Sequence, residues 1–322
     1  MTDIYGREIN YLRISITDRC NLRCVYCMPC YGVQPIPHEQ ILSFEEIVRL
    51  CSIMTGSGIS RVKVTGGEPL VRKGAVNLVR LLKAIDGIEQ VTMTSNGIIL
   101  GDWLNELMDA GIDALNISLD TLDADVFHRI TRCDGLNKAL ATIDKAVSLG
   151  LPVKINCVPI RNINDSGLVK IAGLAIDRDI AVRFIELMPM SQDMSYEPVP
   201  GGEVFAMLEQ AYGTLDSFKG SLGNGPAVYY TAQGFKGKLG FISAISSEFC
   251  ESCNRLRLTS NGILKLCLAA DTGLNVKALL RGGSSDMEIS EDIRKFILQK
   301  PLRHGFEKMP KYEKANMYRI GG

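Results

Sequence analysis

The sequence predicts an α/β fold, in which an open, partial barrel of parallel strands is followed by a smaller C-terminal domain. Strand-like runs alternate with helical segments over about the first 190 residues, and those strands carry polar residues along one face. The length of 322 residues also exceeds what one hydrophobic core commonly serves. Because loop-rich segments such as SQDMSYEPVPGG and KGSLGNGPAVYY follow the last strand, we expect domains at 1–220 and 221–322.

Six runs have the residue preferences of strands and are separated by helical segments. They begin at 11, 61, 90, 114, 152 and 181, with the sequences YLRISIT, RVKVTGG, QVTMTSNG, ALNISLD, PVKINCV and AVRFIELM. Among the helices, one begins with a capping box formed by Ser43 and Glu46, and another ends at Gly150. Strands that alternate with helices favour a parallel sheet.

Polar and apolar residues alternate along these strands, whereas parallel strands buried on both faces are continuously apolar. In the first strand, Arg13, Ser15 and Thr17 alternate with aliphatic neighbours. The later strands have these polar residues at alternating positions: Arg61, Lys63, Thr65, Thr92, Thr94, Asn96, Asn116, Ser118, Asp120, Lys154 and Asn156. Branched apolar side chains fill an ordinary α/β barrel, so we expect this one to stay open around a large anionic ligand. A flat sheet with one poorly covered face is the alternative.

The formal charges balance, because the chain has 36 Lys and Arg residues and 36 Asp and Glu residues. No overall basic field favours nucleic acid or an anionic membrane, so an anion site must be built locally. The apolar runs fall short of the roughly 18 residues of a membrane span. The N-terminal MTDIYGREINYLR lacks the apolar segment of a secretory signal, and we expect a cytoplasmic protein.

Seven of the ten cysteines lie within residues 20–30 and 250–267, and such clustering in a reducing cytoplasm favours metal ligands over disulfides. The first window, CNLRCVYC, places Cys20, Cys24 and Cys27 on the loop after the first strand. Three thiolates at this spacing suit an iron–sulfur cube with one iron left open for an exchangeable ligand. Cys30 is an alternative fourth ligand. Zinc is the alternative metal, although none of the three histidines follows a zinc pattern.

The second window, CESCNRLRLTSNGILKLC, again supplies three thiols, from Cys250, Cys253 and Cys267, and predicts a second cluster. Arg255 and Arg257 lie one residue apart between these ligands. An extended segment turns both guanidinium groups to one side, where they can hold an anion or a purine edge. The isolated cysteines sit in apolar or mixed surroundings and are expected in the core: Cys51, Cys133 and Cys157.

CxxxCxxC with Tyr26 before its last cysteine, together with TGGEP at 65–69, resembles the radical S-adenosylmethionine (radical SAM) superfamily. Further segments are similar to the GTP cyclases of molybdenum cofactor biosynthesis, namely YLRISITDRCNLRCVYCMP, VTGGEPLVR, NISLD, RFIELMP, FCESCNRLRL and the terminal Gly321 and Gly322. This resemblance covers nearly the whole chain and is weakest between about 190 and 248. It implies a partial (β/α)6 TIM-type barrel whose mouth is closed by the C-terminal domain, and a diglycine tail that acts in the active site.

The resemblance also implies the roles of individual residues. The first triad holds a [4Fe–4S] cluster that reduces S-adenosylmethionine, and the second triad holds another. The positions that contact S-adenosylmethionine are Tyr26, Gly67, Ser118 and Met188. Those that match GTP contacts are Arg13, Lys63, Thr94, Lys154, Arg255 and Arg257, and strand geometry and charge add Arg61 and Arg183. Gly66 and Gly67 lack a Cβ and so permit close approach of the backbone to the methionine part. The family usually has arginine where Lys63 stands, and lysine keeps the charge without the bidentate fork.

By the same resemblance, the protein is a lyase of molybdopterin biosynthesis. Cleavage of S-adenosylmethionine gives a 5′-deoxyadenosyl radical, which removes hydrogen from C3′ of GTP so that C3′ can join C8 of the guanine. The product then gains an electron and a proton beside the second cluster and Arg255 or Arg257. The implied partners are GTP, a reducing electron donor and cyclic pyranopterin monophosphate synthase, which receives the product. We expect a monomer or homodimer with no nucleic-acid or membrane partner.

Two other functions remain open from the sequence. A radical SAM maturase acting on peptides also carries C-terminal cysteines for an auxiliary cluster, but the basic strand faces and the RLR between the ligands disfavour it. A non-catalytic zinc or iron–sulfur module that recognises nucleic acid is disfavoured by the balanced charge. Metal analysis separates these functions, because zinc favours the module, roughly four irons a single-cluster enzyme and roughly eight the cyclase.

Overall fold

A continuous sheet runs through the computed structural model, which describes residues 1–190, 195–247, 249–270, 272–306 and 317–320. Within these ranges the sheet has twelve strands, in the order β12-β11-β10-β1-β2-β3-β4-β5-β6-β9-β8-β7. The eight strands from β10 to β9 are all parallel, and the pairs at both ends are antiparallel. Since β12 and β7 end the sheet without pairing to each other, the barrel stays open.

The first six strands confirm the predicted βα pattern. Their bounds are β1 (Tyr11–Ser15), β2 (Arg61–Thr65), β3 (Gln90–Ser95), β4 (Ala114–Ser118), β5 (Val153–Cys157) and β6 (Ala181–Ile185). Each pairs in parallel with the next along the chain, which sets polar residues of neighbouring strands side by side, as Arg13 beside Lys63 and Asn156 beside Arg183. The alternation therefore produces one polar face across the sheet.

The second half of the chain extends this sheet at both ends. Its strands are β7 (Leu215–Phe218), β8 (Val228–Ala232), β9 (Lys238–Ile242), β10 (Arg255–Leu258), β11 (Ile263–Lys265) and β12 (Leu274–Asn275). β9 pairs in parallel with β6, whereas β10 pairs in parallel with β1. The predicted boundary between 220 and 221 stays a prediction, and strands from both sides of it share one sheet.

Helices cover the outer, apolar face of the sheet. They are α1 (Phe44–Thr55), α2 (Ala75–Lys83), α3 (Leu104–Asp109), α4 (Ala124–Thr131), α5 (Leu136–Ser148), α6 (Leu168–Ala172), α7 (Leu174–Asp177), α8 (Gly201–Tyr212), α9 (Val276–Arg281) and α10 (Asp286–Ile297). A further short helix, α11 (Met317–Ile320), lies apart from them and packs through Ile320 in a small separate apolar cluster. Leu50 of α1 and Leu78 of α2 are fully buried in the cluster that contains Leu12 and Val64 of the strands. In the described part of the chain, no helix has the length and apolarity needed to cross a membrane.

The predicted helix boundaries agree with the structure. The Ser43 hydroxyl accepts the N–H of Glu46 at 3.2 Å, and the Glu46 carboxylate accepts the N–H of Ser43 at 2.7 Å, which completes the capping box. Gly150 follows α5 with a φ of 74° and so provides the left-handed residue that ends this helix.

The isolated cysteines are only partly core residues. Cys51 and Cys157 are fully buried in the main apolar cluster. Cys133 is half-buried beyond the end of α4, where its thiol lies 3.4 Å from the carbonyl oxygen of Asp134. The prediction that Cys133 lies in the core is therefore wrong, because its position after the helix leaves the side chain partly in solvent.

The capping box gives a stability prediction. A Ser43→Ala substitution leaves the N–H of Glu46 without its side-chain acceptor, so we expect the free energy of unfolding to fall by about 1 kcal/mol. Urea denaturation followed by circular dichroism measures the change. Ser52→Ala, at an exposed position within the same helix, is the matched control and should lose little or nothing. An equal loss in both variants would contradict the capping role.

Candidate active site

Both cysteine triads line one cavity on the polar face of the sheet. Its lining includes the first triad (Cys20, Cys24 and Cys27) and the second triad (Cys250, Cys253 and Cys267). Six cationic side chains of the described residues also line it, Arg13, Lys63, Lys154, Arg183, Arg255 and Arg257, and Asp120 is the carboxylate among the lining residues. The sequence places the two triads more than two hundred residues apart, and the pairing of β10 with β1 brings them to the same cavity.

The first triad lies on the loop that follows β1. The N–H groups of Cys27 and Met28 both donate to the carbonyl oxygen of Cys24 at 2.9 Å, which closes a helical turn. Residues three apart on such a turn face the same side, so Cys24 and Cys27 are presented together. Burial raises the pKa of Cys20 to about 11 and raises that of Cys24 well above its usual value. These thiols stay protonated near neutral pH until a metal displaces the proton.

Two contacts fix this loop against the barrel. The N–H of Val25 donates to the carbonyl oxygen of Ile130 at 2.9 Å, which docks the loop on the end of α4. The hydroxyl of Tyr26 donates to Asp120 Oδ2 at 2.6 Å, and Asp120 Oδ1 accepts the N–H of Val158 at 2.8 Å. Burial raises the pKa of Asp120 to about 6, while these hydrogen bonds favour its ionised form. Tyr26 is thus fixed both by the hydrogen bond of its own hydroxyl and by the backbone contact of the preceding residue, Val25.

Gly66 and Gly67 pack against the beginning of the same loop. A Cβ on Gly67 would stand 2.3 Å from the carbonyl oxygen of Arg19, and one on Gly66 would stand 2.7 Å from that of Thr17. The N–H of Gly67 also donates to Thr17 at 2.8 Å. These glycines therefore allow their strand end to pack closely against the protein's own backbone at Thr17 and Arg19. Contact of Gly67 with S-adenosylmethionine stays a prediction, and Gly67 does line the cavity.

The second triad has a more positive environment. Cys250 begins a short 3-10 turn that brings Cys253 near it, and the N–H of Cys253 donates to the carbonyl oxygen of Cys250 at 3.2 Å. Burial alone raises the pKa of Cys253, but the charges of Arg255 and Lys300 outweigh it and lower the value to about 7. A nearby cation favours the thiolate, which is the form that binds metal.

The parallel register gathers the cations of the cavity. Arg13 of β1 lies between Arg257 of β10 and Lys63 of β2. Burial, followed by the repulsion of nearby cations, lowers the pKa of Lys63 and of Arg257 well below their usual values. In the free protein, each of these cations disfavours the charged form of its neighbours. An anionic ligand would relieve this repulsion.

Arg183 is held in a fixed orientation within this group. Its guanidinium donates to Asn116 Oδ1 at 2.7 Å and to Asn156 Oδ1 at 2.9 Å. Lys154 lies close to the loop before β8, because a Cβ on Gly223 would stand 2.7 Å from its Nζ. The side-chain amide of Asn224 fixes this loop, because it donates to Gln90 Oε1 at the start of β3. The cations therefore face a pre-formed space rather than flexible surface.

The structure brings most of the predicted site residues together. Thr94, Tyr26, Gly67, Ser118 and Met188 line the same cavity as the two triads and the six cations. Arg61 does not line it, because it lies at the amino end of β2 with its Nε 4.0 Å from Glu89 Oε2. Cys30 is exposed and does not line it either. Gly321 and Gly322 lie outside the described residues.

Several residues of the site were missed from the sequence. His304 and Phe306 line the cavity, and Arg7 and Lys300 contact the backbone around the second triad. Glu186 accepts the N–H groups of Ile245 and Ser246 at 2.9 and 3.0 Å and so fixes the loop that precedes the second triad. No short motif connects these residues to the cysteines, and only the buried charge of Glu186 next to the sixth strand could have drawn notice.

The donor sets fit iron–sulfur clusters. Each triad offers three soft sulfur donors to the cavity, which is one fewer than a fully thiolate-bound [4Fe–4S] cluster has. Across the described ranges, no three His, Cys, Asp or Glu side chains are arranged to hold a single metal ion. A four-iron cube distributes its thiolates over different irons, so its ligands need not converge on one ion.

Comparison with known proteins agrees with this site. The Radical SAM superfamily model matches residues 14–175, and the Molybdenum Cofactor Synthesis C model matches residues 180–306. The chain therefore belongs to the radical SAM superfamily.

Curated relatives extend over its full length. A protein of Clostridium perfringens (strain 13 / Type A), named GTP 3′,8-cyclase, is 44% identical over 323 residues and 100% of both chains. One of Pelotomaculum thermopropionicum with the same name is 46% identical and covers 94% of this chain and 95% of its own. Within the superfamily, the chain belongs to the GTP 3′,8-cyclase family.

A solved structure supports the fold. The crystal structure of Streptococcus suis SuiB bound to S-adenosylmethionine aligns with a TM-score of 0.59 over 97% of this chain and 78% of that one. At 17% sequence identity the likeness concerns the fold alone. It agrees with the predicted partial barrel of the radical SAM type.

The glycine pair gives a prediction about the first cluster. In Gly67→Ala, the new Cβ collides with the backbone of Arg19, which cannot move without displacing Cys20. We expect reconstituted protein to hold about four irons per chain instead of about eight. Iron and sulfide analysis measures the change. The control is Gly202→Ala in α8, where a Cβ meets nothing within 4 Å, and it should keep the full content. Full content in Gly67→Ala would show that the loop adapts.

Proposed function

We propose that the cavity binds GTP and S-adenosylmethionine between two [4Fe–4S] clusters. The protein is a lyase that converts GTP to (8S)-3′,8-cyclo-7,8-dihydroguanosine 5′-triphosphate in the first step of molybdopterin biosynthesis. One observation carries the assignment to this cavity, which is that two separate cysteine triads and six cations line the same space. A polyanionic nucleotide placed there has a cluster site on each side of it.

The cofactors are two [4Fe–4S] clusters and S-adenosylmethionine. Cys20, Cys24 and Cys27 hold the first cluster, and Cys250, Cys253 and Cys267 hold the second. When bound, the first cluster would supply one electron to S-adenosylmethionine, and the cleavage to methionine and a 5′-deoxyadenosyl radical would provide the group that takes hydrogen from C3′ of the ribose. The residues proposed to contact S-adenosylmethionine all line the wall near the first triad or the carboxyl ends of the strands: Tyr26, Gly67, Ser118 and Met188.

The chain binds and orients GTP through its cations. A triphosphate brings several negative charges into the cavity, and each needs charge-assisted hydrogen bonds in place of water. The proposed contacts are Arg13, Lys63, Thr94, Lys154, Arg183, Arg255 and Arg257, to which Arg61 was added from its strand position although it does not line the cavity. Binding by several residues at once fixes C3′ relative to the radical source, and exclusion of water protects a species that would attack any nearby C–H.

Arg255 and Arg257 have a further part in this arrangement. They lie on the strand that follows Cys253, so the part of the nucleotide that they hold lies beside the second triad. Their N–H groups can donate to guanine or phosphate oxygens while the new bond to C8 forms. Gly321 and Gly322 are also proposed to act in the active site.

The other partners follow from the chemistry of the reaction. Reduction of the clusters requires an electron donor, and cyclic pyranopterin monophosphate synthase is the proposed acceptor of the product. Six of the cysteine thiols line one cavity, and because such thiols stay reduced in the cytoplasm, we propose the cytoplasm as the place of action. We propose a monomer or homodimer, with 1–220 as the radical SAM domain and 221–322 as the C-terminal domain, and no nucleic-acid or membrane partner.

Lys154 gives a prediction about pH. Burial, followed by the charge of Arg183, lowers the pKa of Lys154 to about 8 in the free protein. Below pH 8 the ammonium is present and GTP binding needs no proton. Above pH 8 a proton must be taken up, so GTP affinity should fall by up to about tenfold per pH unit. Titration calorimetry between pH 7 and 9.5 measures this. Lys154→Arg keeps its charge, so its affinity should fall less steeply above pH 8 than that of the wild type, and identical profiles would contradict the assignment.

Anaerobic reconstitution with iron and sulfide tests the function. Incubation with S-adenosylmethionine, dithionite and GTP should give 5′-deoxyadenosine together with the cyclised nucleotide, and both should depend on GTP. Cys250→Ser should lose about four irons and lower product formation by about 100-fold or more, since the nucleotide loses its cluster contact. Cys133→Ser, outside the cavity, is the matched control. A Cys250→Ser protein with full activity would overturn the role of the second triad.

A further inference from the structure

We infer that Lys300 and Arg7 form a buried cationic support that fixes the three ligand segments of the second triad and stabilises the cluster bound there. They act as positioning residues through backbone carbonyl groups and charge, without touching the substrate. The inference rests on the proposed function in one respect, which is that the second triad holds a cluster. It adds residues from both ends of the chain to that site.

Lys300 contacts two of the three ligand segments. It follows α10 and is only 2% exposed. Its ammonium donates to the carbonyl oxygen of Arg255 at 2.8 Å and to that of Leu266. Arg255 is two residues after Cys253, and Leu266 immediately precedes Cys267. One side chain therefore sets the separation of segments that carry two of the ligands.

The charge of Lys300 also needs a partner. Within the described residues, no carboxylate lies within salt-bridge distance of its ammonium. The ammonium instead lies against the backbone carbonyls of Arg255 and Leu266, two residues from Cys253 and one residue from Cys267. A buried cation costs free energy unless an anion compensates it. Thiolates bound to a cluster supply that negative charge, so charged Lys300 and the loaded triad stabilise each other.

Arg7 contacts the third segment. Its guanidinium donates to the carbonyl oxygen of Cys250 at 2.9 Å and to those of Pro301 and Leu302 at 2.8 and 3.2 Å. Its Nε forms a buried ion pair with Asp3 at 2.6 Å, which holds the guanidinium in this orientation. The planar group thus joins the N-terminal segment to Cys250 and to the chain next to Lys300.

The short segment from Lys300 to His304 completes the support. The N–H of His304 donates to Cys250 Sγ at 3.4 Å, and its Nε2 donates to the carbonyl oxygen of Ala244 at 2.9 Å. The five residues from 300 to 304 therefore contact, directly or through Arg7, the segments of all three ligands. Groups that orient metal ligands in this way commonly change metal affinity by about 10- to 100-fold when they are removed.

The test compares Lys300→Met with Lys295→Met. Lys295 lies on the exposed face of α10 beside Glu291, so its substitution is the matched control. After anaerobic reconstitution, iron, sulfide and the electron paramagnetic resonance spectrum of the reduced protein are measured. We expect about eight irons in the wild type and Lys295→Met, and about four in Lys300→Met. The remaining iron in Lys300→Met should be bound by the first triad, so cleavage of S-adenosylmethionine by dithionite should continue.

Lys300→Arg separates charge from general stability. It keeps a cation at this position, so it should retain more of the second cluster than Lys300→Met under a competing chelator. A Lys300→Met protein with about eight irons and an unchanged spectrum would overturn the inference. Loss of both clusters would also overturn it, because the ammonium of Lys300 contacts segments of the second triad and Lys300 is not among the residues that line the cavity. A wild-type protein that holds only about four irons would instead contradict the proposed function, and with it the site that Lys300 is said to support.

Discussion

Repulsion among the cations that line the cavity is the constraint on which this site depends. Arg13, Lys63 and Arg257 are neighbours in register on three parallel strands, where water cannot fully hydrate them. The aliphatic residues that alternate with these cations are buried under the outer helices. The favourable free energy of burying those side chains keeps the cations in place. The sheet therefore stores an unfavourable charge arrangement that a polyanion reverses. The proposed selection of a nucleotide with several phosphate groups would follow from the backbone register as much as from any single contact.

The two triads differ in how they favour metal. Burial raises the pKa of Cys20 and Cys24, so metal must displace their protons, and Asp120 and Tyr26 then hold the loop around the new centre. At the second triad, Arg255 and Lys300 lower the pKa of Cys253, so the thiolate forms readily. Within one cavity, burial thus disfavours the thiolates of Cys20 and Cys24, whereas nearby cations favour the thiolate of Cys253. The difference agrees with the different tasks that we propose for the two triads, radical generation at the first and substrate contact at the second.

Local patterns predicted the parts of the structure that depend on neighbours in sequence. The six strands, the capping box at Ser43 and the shared polar face all follow from alternation or short motifs, and all are present. Arg61 failed as a cavity residue because alternation gives the face of a strand but not the position along it. Arg7 and Lys300 escaped notice because their side chains contact backbone carbonyls far away in the sequence, 294 residues away for Arg7 and Pro301 and 45 residues away for Lys300 and Arg255. Such contacts have no local signature.

The place of β10 beside β1 has a consequence for how the chain is made. β1 is among the first strands to leave the ribosome, and its outer neighbour follows 244 residues later, as the pairing of Arg13 with Arg257 shows. At about 5–20 residues per second, synthesis of that interval takes on the order of 10–50 s. During that time one edge of β1 offers unpaired N–H and carbonyl groups to any other extended chain. Chaperones that shield strand edges during translation are therefore expected to matter more for this protein than its balanced charge and ample apolar core suggest.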